Sequence, residues 1–341
     1  MTVYTDDSIV LTGCGWVTAF AAGSIADVLT GAPAARFAPS PEAPYWAVPD
    51  ERLDDYPDLA RELKRDKGAW LTAAALEHAR RQASLEPGSL EPERVGMVLG
   101  CALAGQLGMI EFANEVRQQS PRFVSPIHFP QTVGNYIAGA LARAYLIRGP
   151  NATLSCGSAS GLDAIVEGAS LLAGGAADVV FAGGTETLSK ELTLGFAEPD
   201  ATFSEGACFF VMEKYDRAAA RGVTPLAVVT RPQQGQAAGG APPNPAGAVV
   251  SVAGLRLGGA ILIEHWTGRC FAAAGAAAVA AAIGAAAGRE LPLVDPSDST
   301  AVAVGALPVD ALPVTDGALR AVVVADADHR CLLELALPRV S

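Results

Sequence analysis

A chain of 341 residues is long enough for one large α/β domain or two ordinary ones, and half of it is apolar with aromatics at only 6%, which suits closely packed helices on a sheet and excludes a disordered polymer. Its 36 acidic against 24 basic residues leave a net charge of −12 with no long basic run, which argues against nucleic acid or an anionic membrane as the main partner. Six scattered cysteines without a CxxC pair, five of them in apolar or small-residue surroundings, read as buried free thiols in a reducing compartment, and the acid-bearing start MTVYTDDSIV lacks the pattern of an export signal, so the expected location is the cytoplasm.

In chain order, Ser8–Thr12 reads as a strand ending in Gly13-Cys14-Gly15, followed by a helical stretch at about Ser24–Thr30 and a surface excursion over 34–57. A helix is expected over 68–83, a buried strand at Val95–Gly100, a helix from Gly105 to Val116, a loop over 120–135 and a helix at Tyr136–Tyr145. The best-defined unit comes next: strand Ala152–Ser155, turn Cys156–Gly157, helix Ser158–Ala173 and strand Asp178–Ala182, a βαβ arrangement that implies parallel strands. Residues 206–213 and 225–230 read as strands around a charged helix closed by Gly222, and the almost uncharged stretch 232–247 as an exposed connection. A strand at Ala260–Ile263 precedes the segment 270–287, whose Ala and Gly content makes a buried helix and a poor membrane anchor. Strands Ala321–Ala325 and Cys331–Leu337 close the chain around the turn DADHR. The halves 1–222 and 223–341 resemble each other weakly, as a duplicated α/β core whose second copy is reduced.

The segment GPNATLSCGSASGLDAIVEGASLLAGGAADVVFAGGTE, residues 149–186, resembles the nucleophile segment of the β-ketoacyl-acyl carrier protein synthases and their polyketide relatives. IVLTGCGWVTAFA at 9–21, ERVGMVLG at 93–100, EGACFFVMEKYDRAAARG at 205–222 and WTGRCFAAAGAAAVAAAIGA at 266–285 are similar to further segments of that family, in the same order. The resemblance implies the thiolase fold, α/β in class, with layered α-β-α-β-α architecture built from two related halves, the second of them shortened here, and normally a dimer. It also puts the nucleophile at the N-terminus of a buried helix, where backbone amides and the helix dipole favour developing negative charge.

The departures are as informative. The alignment places Ser158 where the family has its catalytic cysteine, and a serine hydroxyl needs an adjacent general base that a thiolate does not. Arg269 replaces one family histidine, and no counterpart of the second is found between Pro225 and Glu264. The late glycine-rich loop is replaced by ADADHR at 325–330. Of the four histidines, His78 reads as a solvated helix position and His128 as a packing residue in the segment where the family's dimer contacts lie; His265 and His329 are the candidate bases. Ser158 is either a helix-capping residue or an acyl-accepting nucleophile, and Cys156 competes with it from two residues earlier.

The resemblance and its departures together imply a non-condensing partner subunit of the chain-length-factor type, dimerising with an active ketosynthase in polyketide or fatty-acid-like biosynthesis and reaching acyl carrier protein through it. No cofactor or metal is expected, since Gly13-Cys14-Gly15 fails the dinucleotide fingerprint and no zinc-type spacing occurs. The alternative is a Ser158-dependent acyltransferase or thioester hydrolase on the same fold. Bulky side chains around Met109–Phe112 are candidates for gating an acyl tunnel by position.

Overall fold

The computed structural model describes residues 5–19, 21–24, 45–50, 56, 63–86, 88–103, 105–119, 121–124, 126, 128–196 and 203–236, together with the short elements named below. The strands of the first half are β1 (Ile9–Thr18), β2 (Ala21–Ser24), β3 (Ala35–Arg36), β4 (Val95–Gly100), β5 (Asn151–Leu154), β6 (Val179–Glu186) and β7 (Gly206–Lys214). Its helices are α1 (Lys67–Gln82), α2 (Gln106–Gln119), α3 (Tyr136–Ala144), α4 (Ser160–Ala173), α5 (Lys190–Gly195) and α6 (Tyr215–Ala220). The second half supplies β8 (Ala227–Gln236), β9 (Ala248–Ser251), β10 (Ile261–Leu262), β11 (Glu290–Val294), β12 (Val302–Ala306), β13 (Val314–Thr315), β14 (Ala318–Val324) and β15 (His329–Leu337), with helical residues between Ala272 and Ile283.

The main sheet runs β10-β9-β14-β15-β8-β1-β7-β6-β4-β5. Taking each half by itself, the order is the same: third, second, fourth, fifth, first strand. The directions repeat too. β5, β4 and β6 are parallel and β7 and β1 antiparallel to their neighbours, while β10, β9 and β14 are parallel and β15 and β8 antiparallel. The halves meet where β1 pairs with β8 at Ile9, Val10 and Leu11. This internal repetition is the duplicated α/β architecture that the sequence implies.

Alternation along the strands feeds two cores. Met97, Leu99, Phe209 and Val211 pack under α1 and α3, while Val98, Val180, Phe210 and Met212 pack under α4 and the helical residues Ala273–Ile283. Gly13 and Gly15 seat α1 on β1: a Cβ on Gly15 would stand 1.9 Å from the carbonyl oxygen of Ala75. That packing is the physical role of the Gly13-Cys14-Gly15 motif. A buried Glu213 closes the far end of the sheet, accepting from Thr12 Oγ1 at 2.7 Å and from both Arg221 Nη atoms at 2.5 and 2.7 Å.

Several expectations need correction. Ser24 ends strand β2, opposite Gly15, instead of opening a helix; the remainder of the expected helix lies outside the described residues. Strand β8 extends through Arg231–Gln236, into the expected exposed connection, because its backbone pairs with β15 irrespective of side-chain polarity. For the same reason His329 is the first residue of β15, opposite Gln236, and not a turn residue. The helix α5 and the β11–β12 hairpin were not foreseen. Among the described residues no helix is long and apolar enough to cross a membrane.

Replacing Gly15 by alanine drives a methyl group into helix backbone that cannot step aside. The expected loss is about 3 kcal/mol of unfolding free energy, read as a lower urea midpoint with an unchanged slope.

Candidate functional site

The ends of β4, β5 and β6 converge on the turn that starts α4. Asn151–Leu154 carries the chain to Ser155, whose hydroxyl donates to the Ala102 carbonyl at 3.2 Å, and Gly157 turns the backbone at φ +69°. A single 3-10 turn, Gly157–Ala159, then leads into α4. No side chain caps either helical segment; the turn is tied instead by Ser160, since the Cys156 amide donates to Ser160 Oγ at 2.8 Å and that hydroxyl donates to the Gly157 carbonyl at 2.6 Å. Ser158 is half-buried beside them and caps neither segment, contrary to the capping reading. The head of α4 is held by backbone contact. A Cβ on Gly100 would come within 2.3 Å of the Ser160 carbonyl, and one on Gly161 or Gly184 within 2.2 Å of the Ala272 oxygen.

Two carboxylates dominate the electrostatics. Asp163 lies in the first turn of α4 with 2% of its surface exposed, five residues after Ser158. The exposed Cys156 thiol donates to it; partial burial and the Asp163 charge together hold that thiol above its ordinary range. A helix head ordinarily stabilises an anion, but here the acid already takes up that favourable potential. Glu186, fully buried at the end of β6, accepts from the Ala102 amide at 2.9 Å, the Leu103 amide at 3.2 Å, the Cys101 thiol at 3.3 Å and the Ala272 amide at 3.5 Å. Burial pushes its carboxyl up to about 7 even though these donors act the other way.

Of the residues that the sequence singles out, Ser158 and Cys156 stand together at this turn. Arg269 and His265 lie outside the described residues, as does the side chain of His329. His78 is not merely solvated: its Nε2 is 2.9 Å from the Tyr56 hydroxyl and its ring meets that phenol edge-on. His128 Nδ1 pairs with Glu115 Oε1 at 2.6 Å on the outer surface, and Phe112 packs edge-on against Phe129. Cys14, Cys101 and Cys208 are buried free thiols, whereas Cys156 is exposed. Sequence reasoning missed Asp163 and Glu186. The signal for Asp163 was an acid within the otherwise apolar and small-residue opening of a helix, SGLDAIV. Among the described residues no group of three or more His, Cys, Asp or Glu could hold a metal ion.

Two measurements test this electrostatic picture. Replacing Asp163 by asparagine removes the acceptor and the like charge beside Cys156, so it is expected to lower that thiol's pKa and raise its alkylation rate by iodoacetamide at pH 8. The native state holds the Glu186 proton more tightly than the unfolded chain, so this group's stabilisation is full below about pH 4.5 and falls as pH rises through about 7. A Glu186→Gln variant is expected to lose that decline, on the order of 3 kcal/mol, in urea midpoints measured from pH 5 to pH 8.

Comparison with known proteins agrees with the geometry. Residues 57–222 match the family described as Beta-ketoacyl synthase, N-terminal domain. The 3-oxoacyl-acyl-carrier-protein synthase 2 of Rhizobium meliloti (strain 1021) is 29% identical over 255 residues, 63% of this chain and 61% of that protein. The synthase of the same name from Vibrio cholerae is 32% identical over 173 residues, 44% of this chain and 42% of the relative. The Actinorhodin polyketide putative beta-ketoacyl synthase 1 of Streptomyces coelicolor is 28% identical over 192 residues, 48% of this chain and 41% of the relative. The aligned stretches thus span less than two thirds of each relative's length. Two solved structures share the fold at low identity. A chain of the AntDE:AntF complex, a type II PKS acyl-carrier protein with its ketosynthase, superposes with a TM-score of 0.72 at 16% identity, covering 98% of this chain and 100% of its own. One from the ishigamide ketosynthase/chain length factor gives 0.69 at 19%, with the same coverage. The duplicated sheet is therefore the thiolase-like fold, and residues 57–222 are similar to the N-terminal domain of the β-ketoacyl synthases.

Proposed function

We propose that this chain is a non-condensing, ketosynthase-like subunit of the chain-length-factor type. It dimerises with an active β-ketoacyl synthase in polyketide or fatty-acid-like biosynthesis and meets acyl carrier protein through that partner. The observation that carries this reading is the charge at the head of α4. A nucleophile there must develop negative charge, and the buried Asp163 carboxylate one turn away opposes it. With serine at position 158 and arginine at 269, the sequence supplies neither the thiolate nor the imidazole that condensation uses.

The surface beside the site supports a partner. β5 ends the sheet on that side, with its last three residues half-buried and Asn151 exposed. The neighbouring α2 has no buried residue over its 14 positions. Met109 is exposed on it, and Phe123, Phe129 and Val133 are exposed in the segment where the resemblance puts the family's dimer contacts. Open strand edges and clustered exposed apolar side chains are unfavourable in a monomer and ordinary in an interface. The residues 223–341 are read as the reduced second half of the duplicated fold, compatible with a subunit that processes no thioester of its own.

The second reading, acylation of Ser158, is separated by one set of experiments. The purified chain is expected to form no carbon–carbon bond from malonyl and acyl donors, and Ser158→Cys alone is expected not to restore condensation. Co-expressed with a cysteine-bearing ketosynthase and its acyl carrier protein, the chain is expected to co-purify and to leave the complex's rate unchanged when Ser158 is replaced by alanine. Stable label on Ser158 from acyl carrier protein thioester would favour the acyltransferase instead. Phe123→Asp, at an exposed side chain, is expected to weaken the complex by at least about tenfold without lowering the chain's own melting temperature.

A further inference from the structure

At the other end of β4 the structure holds a cavity of about 310 Å³. Val95, the first residue of β4, lines it, while Gly100, the last, packs against the head of α4, so the cavity is roughly a strand's length, ~17 Å, from Ser158. α1, α3 and the 85–92 connection enclose it. Leu85, Leu90, Val95, Ile147 and Phe181 give it an apolar wall.

Three of its polar side chains have partners within the protein. Arg80 donates to Glu77 at 2.9 Å and to the Leu85 carbonyl at 2.5 Å, and the Tyr145 phenol donates to the Ala73 carbonyl at 3.4 Å. Glu86, exposed and lining the cavity, has no cation within ion-pair distance among the described residues. The lining therefore carries one uncompensated negative charge.

Leu146 is the second observation. It follows α3 with φ +55°, a left-handed position where helices ordinarily end on glycine, and its side chain is 63% exposed while lining the same cavity. Core packing does not repay that strained backbone. Residues held in sparsely populated backbone regions concentrate where a ligand is clamped.

We propose that this cavity binds a small primary amine with an apolar body, the hydrocarbon against Leu90, Val95 and Phe181, Leu146 folded over it, and the ammonium group at Glu86. A cavity of about 150 Å³ holds one benzene ring, so this one accommodates roughly ten carbon atoms. An acyl carboxylate of the same length is disfavoured by the charge of Glu86, which separates this site from any acyl group handled at the head of α4. The proposal does not depend on the condensing partner.

Isothermal titration of the full chain with n-octylamine, n-octanol and n-octanoate tests it. The amine is expected to bind saturably at one site, the alcohol about two- to fivefold more weakly, as one exposed charge pair warrants, and octanoate more weakly still. Glu86→Gln, a surface change, is expected to erase the difference between amine and alcohol. Leu146→Gly relieves the left-handed backbone, so the melting temperature is expected to hold or rise while amine affinity falls by about threefold or more. No saturable amine binding up to millimolar concentration overturns the proposal, as does octanoate binding as tightly as the amine. Unchanged amine affinity in Leu146→Gly overturns it as well.

Discussion

Backbone pressed on backbone at the head of α4 is the constraint on which the rest of the site depends. The end of β4 meets Ser160, and the carbonyl of Ala272 fits between Gly161 and Gly184 with no room for a side chain on either. Interiors packed at crystal-like density transmit position as well as stability. Because these elements touch without intervening side chains, the turn 155–159 has little freedom, and Ser158 and Cys156 are presented at a set place. Glu186 completes the clamp by accepting amides from both the 101–103 loop and Ala272.

The same packing makes the charge pattern consequential. Asp163 and Glu186 are both buried, the first in the opening turn of α4 and the second at the end of β6. An acid in the first turn of a helix is favourable for the helix itself, since it answers the unpaired amides and the dipole. It is unfavourable for an attacking hydroxyl or thiol, which would have to develop a like charge nearby. The turn that opens α4 thus gives the favourable potential of the helix head to a structural carboxylate. That charge is the physical basis of the partner-subunit proposal.

Sheet pairing explains how the second half keeps its place despite its shortness. Its strands repeat the order and directions of the first half, and β8 joins β1 through backbone hydrogen bonds. Backbone pairing is indifferent to side-chain chemistry, so polar residues such as Gln233, Gln234 and Gln236 take their places opposite β15. Segments rich in glutamine and proline carry no apolar alternation to announce a strand, and here the neighbour decides.

The sequence by itself determined the elements whose periodicity is local and strong: α1, the β5–α4–β6 unit, β4 and the family motif that locates position 158. It also carries serine at position 158 and arginine at position 269, which is a fact of the chain and not of its packing. Tertiary structure alone decided that Ser160 rather than Ser158 ties the turn, that His329 begins a strand, that Asp163 is buried beneath Cys156 and that Glu186 ties three segments together. Each of these depends on groups distant in the chain, such as Glu186 with Ala102 and Ala272, or β8 with β15. Hydrophobic periodicity records which face of an element is apolar, whereas burial of a charge and pairing of a backbone depend on what the rest of the chain brings against it.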